Sequence, residues 1–146
     1  MFNPVDKKFL SKIEIACGPK VFRPASHSYK EEPRGRWIGK LGAVVAPRNV
    51  SEASKILKIC SDARVPVIPY GGGTGLVGGQ VGANLDSPLI LSTERLTKII
   101  DIFPQEHVIV CEAGCTLEEI QNEAKNNNRL FPLSLASCLL YTSDAA

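Results

Sequence analysis

The chain has no apolar run approaching the ~20 residues that a membrane-spanning helix needs, and its longest apolar stretches have the length of short strands. It also lacks a block of one charge. Seventeen Lys and Arg stand among fifteen Asp and Glu for a net charge of +2, so neither nucleic acid nor an anionic membrane surface is an expected partner. Histidine is scarce, with only His27 and His107, and neither has a partner at ligand spacing. Five cysteines (Cys17, Cys60, Cys111, Cys115, Cys138) include no CxxC pair. A zinc site is therefore not expected, and the odd count reads as free thiols in a reducing compartment, mostly filling the core. Met1 to Lys8 hold no apolar stretch of the signal-peptide kind, so a cytoplasmic location is expected. A length of 146 residues with 44% hydrophobic content suits one soluble domain with a real core.

Glycine, by contrast, is concentrated. Six of the twelve glycines fall between Gly71 and Gly79, within Val67-Ile68-Pro69-Tyr70-Gly71-Gly72-Gly73-Thr74-Gly75-Leu76-Val77-Gly78-Gly79-Gln80. Glycine reaches positive φ cheaply and lets another group approach the main chain, so successive N–H groups can form an anion site. A flexible linker would be polar and serine-bearing; this stretch holds Leu76 and Val77, has no serine, and comes after an apolar run. The reading is a phosphate-cradling loop. Gly73-x-Gly75-x-x-Gly78 satisfies the letters of the dinucleotide fingerprint, but that motif needs a helix opening within it. The next segment of the chain, Gln80 to Pro88, has turn formers and no helical spacing. Gly-Lys-Ser/Thr is missing after the glycines as well, which excludes an ATP-type P-loop. The ligand must be held by main-chain amides without a helix behind them.

Around the loop the periodicities alternate. Phe9, Leu10, Ile13 and Ile15 among lysines predict an early helix, succeeded by a Pro- and Ser-containing connector that leaves His27 exposed. Ala43 to Pro47 predicts a buried strand, and Asn49 or Ser51 caps a helix with Ala53, Ile56, Leu57, Cys60 and Ala63 on one stripe. Val65 to Pro69 is a second strand, so a βαβ unit feeds the loop. Leu89–Leu91, Lys98–Ile102 and Val108–Val110 predict three further strands, joined by tight turns at Glu94-Arg95 and Pro104-Gln105-Glu106 that favour antiparallel neighbours. Thr116-x-x-Glu119 is a capping box for a helix with Leu117, Ile120 and Ala124 inward, stopped by Asn126-Asn127-Asn128. Cys115 precedes that cap, a location that can lower a thiol pKa.

Pro69-x-Gly71-Gly72-Gly73-Thr74-Gly75-Leu76-x-Gly78-Gly79 resembles the pyrophosphate loop of flavoproteins related to vanillyl-alcohol oxidase, within them the D-2-hydroxyacid dehydrogenases (D-2-hydroxyglutarate, D-lactate and glycolate types). Ile90 to Leu96, Cys111 to Glu118 and Phe131 to Ser137 match further motifs in order and spacing, and the likeness runs from about Arg34 to Ser137. Glu32-Pro33-Arg34-Gly35-Arg36 is similar to an Asp-x-Arg-Gly element upstream of this domain, with Glu32 in the acidic place and Arg34 read as a salt-bridged surface residue.

The resemblance implies an α+β, PCMH-type FAD-binding domain, truncated, with a small parallel βαβ lobe, an antiparallel-sheet lobe and the cofactor between them. It divides the chain into a segment 1–40, an FAD-binding part 41–137, and 138–146, which departs from the family pattern and reads as a non-native, out-of-frame end. It implies FAD held by Pro69, the amides of Gly71, Gly72, Gly73, Thr74 and Gly75, and Gly78 and Gly79 where the chain passes close to the flavin. Gln80 would reach a polar edge, and Ala113, Gly114, Pro132, Ser134 and Ser137 would line the site further on. Family members that tether flavin through this loop carry histidine where Thr74 stands, so the attachment is expected to be non-covalent. The implied reaction oxidises a small D-2-hydroxyacid to a 2-oxoacid at the flavin. The family's substrate arginines, base and metal ligands match nothing in this chain, so no catalytic residue is assigned. A non-catalytic phosphate- or nucleotide-binding module using the same loop is the alternative.

Overall fold

A computed structural model describes residues 2–133, so the readings placed on Ser134, Ser137 and 138–146 lie outside the described residues. The chain divides into two compact units, Met1–Arg95 and Leu96–Ala146.

The first unit begins with helix α1 (Lys7–Cys17), where the Asp6 carboxylate accepts the Phe9 N–H at 2.7 Å. That bond satisfies one of the N–H groups a helix start leaves unpaired. Phe9, Ile13 and Cys17 turn inward. Ile15 is 87% exposed, because it lies about 200° around the helix from Ile13. Inside the expected connector a short strand forms, β1 (Phe22–Arg23), antiparallel to β2 (Ala43–Val45). His27 stays exposed, with Nε2 at 3.3 Å from the Glu31 carboxylate. Helix α2 (Val50–Ala63) is capped by Asn49, whose side chain accepts the Glu52 N–H at 2.9 Å. Ile56 and Cys60 are buried, while Leu57, placed on the stripe by its spacing, is exposed. At about 100° per residue Leu57 stands a quarter turn from Ile56, whereas Ile59 lies nearer the stripe and packs on the core instead.

Strand β3 (Val67–Tyr70) leads into the glycine loop, and β4 (Leu89–Ser92) comes after it. The sheet order is β1-β2-β4-β3, with β2, β4 and β3 mutually parallel. Leu89–Leu91 is therefore a correction to the antiparallel expectation. All four residues of β4 are buried, the signature of a strand covered on both faces. Leu89 and Leu91 enter the core with Phe9, Ile13, Val45, Ile56 and Cys60, while Ile90 packs on the other face with Val44, Ile68 and Tyr70.

Glu52 is buried within α2 and accepts the Arg48 N–H at 2.8 Å and Arg48 Nε at 2.8 Å, with Nη2 closer still. The Arg48 side chain first, and its main-chain N–H second, hold the Glu52 carboxyl below the usual value of 4.5. A carboxylate with a depressed folded-state pKa stabilises the fold above the usual value, and that contribution fades as pH falls through the folded-state value. Glu52→Gln is expected to lower the urea midpoint at neutral pH, with the gap to wild type closing once the pH drops below 4.5. A gap that stays constant into acid would rule this out.

The second unit pairs β5 (Ile99–Phe103) with β6 (Val108–Cys111) as an antiparallel hairpin, with a bulge between Ile99 and Asp101. The turn at Pro104–His107 closes with His107 at φ 57. Helix α3 (Leu117–Asn126) carries the expected capping box. Thr116 Oγ1 accepts the Glu119 N–H at 3.2 Å, and Glu119 Oε2 accepts the Thr116 N–H at 2.7 Å. Leu117 and Ala124 are buried, and Asn128, at φ 55, stands just past the helix end. A cavity of about 440 Å³, lined by residues including Ile102, Ile109, Cys111, Ile120, Leu130 and Phe131, lies within this unit. No helix among the described residues is long and apolar enough to cross a membrane.

Candidate cofactor site

The glycine loop bridges neighbouring parallel strands, leaving the carboxyl end of β3 and returning to the start of β4. Ligands of α/β sheets sit at such carboxyl ends. Two glycines are required by their backbone. Gly73 has φ 67 and Gly78 has φ 77, a region that costs a residue with Cβ about 1–2 kcal/mol. At Gly73 a Cβ would fall on the Tyr70 hydroxyl, and at Gly78 it would sit 2.7 Å from Trp37 Cγ. Among the described residues, Gly79 has nothing within 4 Å of a built Cβ, and Gly71 has only Thr93 Oγ1, at 3.9 Å. At these two positions the main chain is open to another molecule.

Hydrogen bonds distinguish the two sides of the loop. Among the described residues, no N–H from Gly71 to Gly79 donates to a protein group. Its carbonyls are engaged: Gln80 Nε2 donates to Gly75 O at 2.5 Å and to Gly73 O at 3.3 Å. Gln80, expected to reach a polar edge of the cofactor, thus ties the loop to itself in this structure. The Thr74 hydroxyl is half-buried and donates to no described group.

Beneath the loop, Tyr70 Oη donates to Ser28 O at 3.0 Å, and the Tyr70 and Tyr29 rings meet at 4.6 Å and 60°. Burial raises the pKa of both phenols, so each stays a neutral donor. Tyr29 Oη reaches Glu94 Oε2 at 3.4 Å, and Glu94 also accepts from Ser92 Oγ at 3.2 Å and pairs with Arg23 Nε at 2.5 Å. Glu94, two residues past β4, is thereby held by one cation and two hydroxyl groups. Sequence reasoning missed Tyr70 and Trp37 as loop supports. The available signal was two aromatic residues in a chain where aromatics make up only 6%.

The remaining expected residues divide between the units. Pro69 is exposed on β3, an edge strand where its missing N–H leaves no ladder bond unmade. Ala113 and Gly114 lie in the second unit, in the turn after β6. There the Gly114 N–H donates to Leu96 O at 2.7 Å and the Cys115 N–H to Glu112 O at 3.1 Å. Pro132 is exposed beyond α3. The Cys115 pKa is raised rather than lowered, by burial first and then by Cys111 beside it. Arg34 gives its main-chain N–H to the Glu32 carboxylate at 3.0 Å and forms none of the ion pairs among the described residues, which corrects its reading as a salt-bridged arginine.

Comparison with known proteins agrees with this geometry. The chain belongs to the FAD binding domain family, whose model matches residues 42–142. The D-2-hydroxyglutarate dehydrogenase, mitochondrial, of Arabidopsis thaliana is 34% identical over 140 residues, covering 94% of this chain and 25% of that protein. The D-lactate dehydrogenase of Archaeoglobus fulgidus is 38% identical over 123 residues, covering 82% of this chain and 27% of that protein. The chain thus spans about a quarter of the length of these curated relatives. Among solved structures, alkyldihydroxyacetonephosphate synthase superposes with a TM-score of 0.70 at 16% identity, over 86% of this chain and 26% of that one. P-cresol methylhydroxylase with substrate bound gives 0.68 at 21% identity, over 83% and 24%. At such identities the likeness is of fold, and the fold is the PCMH-type one expected from the four motifs. The cofactor of the family is FAD.

Proposed function

We propose that this chain is the FAD-binding part of a flavin-dependent dehydrogenase acting on a small D-2-hydroxyacid, with the cofactor held non-covalently. The observation that carries this reading is the run of uncommitted N–H groups from Gly71 to Gly79 beside two glycines open to solvent. A pyrophosphate supplies the acceptors such a run lacks, and main-chain amides suit it because they donate without a competing counter-charge. Gly71, Gly72, Gly73, Thr74 and Gly75 take that role, Gly78 and Gly79 admit the cofactor closely, and Pro69 sets the loop's exit from β3. Gln80 holds the loop in shape through its carbonyls. Ala113, Gly114, Pro132, Ser134 and Ser137 are proposed further lining positions, within an FAD-binding part running over residues 41–137. Thr74 stands where members of the resembled family that tether flavin through this loop carry histidine, which supports the non-covalent reading. Bound FAD supplies a hydride acceptor, so that a 2-hydroxyacid can leave as a 2-oxoacid.

The substrate class comes from the names of the relatives, and the reaction belongs to the whole protein. No residue of this chain is assigned a part in the bond-breaking step. The free cysteines Cys17, Cys60, Cys111 and Cys115 fit a reducing compartment. The cytoplasm is the compartment proposed, against the mitochondrial location in the Arabidopsis relative's name; cell fractionation decides between them.

Equilibrium dialysis tests the cofactor reading. FAD is expected to bind saturably but weakly, with ADP competing because it carries the same pyrophosphate. Indifference to both nucleotides would end the proposal.

A further inference from the structure

Residues 28–39 run beside the glycine loop and touch it and both of its flanks. Ser28 O accepts from Tyr70 Oη at 3.0 Å, Trp37 packs against Gly78, and Gly39 lies so close to Val81 that a Cβ would overlap the Val81 carbonyl. The segment is stiffened from within. Glu32 is 1% exposed, and its carboxylate accepts the N–H groups of Arg34 at 3.0 Å and Arg36 at 2.7 Å. The Glu32 N–H donates to Trp37 O at 3.2 Å, the Gly35 N–H to Glu32 O at 2.9 Å, and Glu31 bridges Ile38. Those bonds fix the backbone that carries Trp37. A tryptophan held so firmly ordinarily buries most of its ring, yet Trp37 remains 47% exposed, with Leu76 at 39% and Val77 at 86% beside the glycine it covers.

An exposed indole on a rigid turn, next to a row of free amides, suits a ligand that is anionic at one point and planar at another. Resting on the FAD reading above, we infer that Trp37 is a wall of the FAD site, stacking a planar ring of the dinucleotide while the loop amides take its pyrophosphate. Trp37 lies upstream of the residues matched to the family model, 42–142, so the site extends into the N-terminal segment. Gly78 is then glycine for two reasons: its φ of 77, and the indole that occupies the place of its side chain.

The test compares FAD affinity by equilibrium dialysis in the wild type, Trp37→Phe and Trp37→Leu, with the melting temperature of each apo-protein measured in parallel. Leucine keeps apolar packing on Gly78 but cannot stack; phenylalanine keeps both. Stacking of a base on an aromatic side chain contributes about 1–3 kcal/mol, which is about 5- to 150-fold in affinity. Trp37→Leu is expected to weaken FAD at least about fivefold with little change in melting temperature, and Trp37→Phe to stay within about threefold of wild type. FMN and ADP, titrated in turn, then show which ring lies on the indole: the one whose binding Trp37→Leu weakens. Wild-type affinity in Trp37→Leu would overturn the inference, as would an equal loss in both variants that tracks their melting temperatures. If FAD failed to bind the wild type as well, the cofactor reading itself would fall.

Discussion

Gly73→Val is expected to abolish FAD binding, with a loss of at least about 100-fold in affinity, through two effects that act together. Valine at φ 67 enters a backbone region that costs a residue with Cβ about 1–2 kcal/mol, and β-branching adds to that cost. Its Cβ would also fall on the Tyr70 hydroxyl, which is held by Ser28 and backed by Tyr29. Tyr70 cannot yield without giving up a hydrogen bond and a ring contact, so the loop must move instead, carrying the amides of Gly71, Gly72 and Thr74 out of register. Gly79→Ala is the matched control. Its Cβ meets nothing within 4 Å among the described residues and its φ is not positive. It is expected to leave the melting temperature unchanged while still weakening FAD, because among the described residues nothing stands in the way of that methyl group and the proposed site brings the cofactor against it. Dialysis and thermal melts on both variants decide the matter. Normal FAD affinity in Gly73→Val would show that the loop does not hold the cofactor.

The second large effect concerns the scaffold. Ile56→Ala should destabilise the first unit by about 2–5 kcal/mol, the usual range for deleting a fully buried branched side chain from a core that cannot collapse around the gap. Ile56 is 0% exposed and packs where α1, α2 and the parallel sheet meet, among Ile13, Val45, Cys60 and Leu89. Domains of this size are stable by only about 5–15 kcal/mol, so the variant sits near the edge of folding. The single tryptophan, Trp37, lies in this unit and gives a fluorescence signal for its unfolding in urea. Leu57→Ala, one residue on but exposed, is expected to shift the midpoint little. Equal shifts in the two variants would contradict the observed helix rotation.

That contrast also shows what sequence reasoning reaches. The glycine loop, the Asn49 and Thr116 caps, the hairpin and both flanking helices were legible because each is fixed by neighbours in the chain. Leu57 was misplaced because a spacing rule admits two flanks of an apolar stripe, and only the packed partner selects one. The parallel pairing of β4 was hidden more deeply. Its tight turn toward Leu96 resembles hairpin chemistry, while the partners that settle its direction, β2 and β3, lie 46 and 22 residues earlier in register. Within the site, glycines declare themselves by composition. Tyr70 and Trp37 do not, since nothing local says that one lies beneath Gly73 and the other over Gly78.

The position of Pro69 has a consequence for self-association. In the described sheet β3 is the outermost strand beside the loop, and a bare strand edge is a template on which a second chain can pair. Proline in the middle of that four-residue edge removes one of the donors an incoming strand would use. The protein can therefore leave the strand end beside the glycine loop open to small molecules while discouraging another polypeptide from zipping onto it.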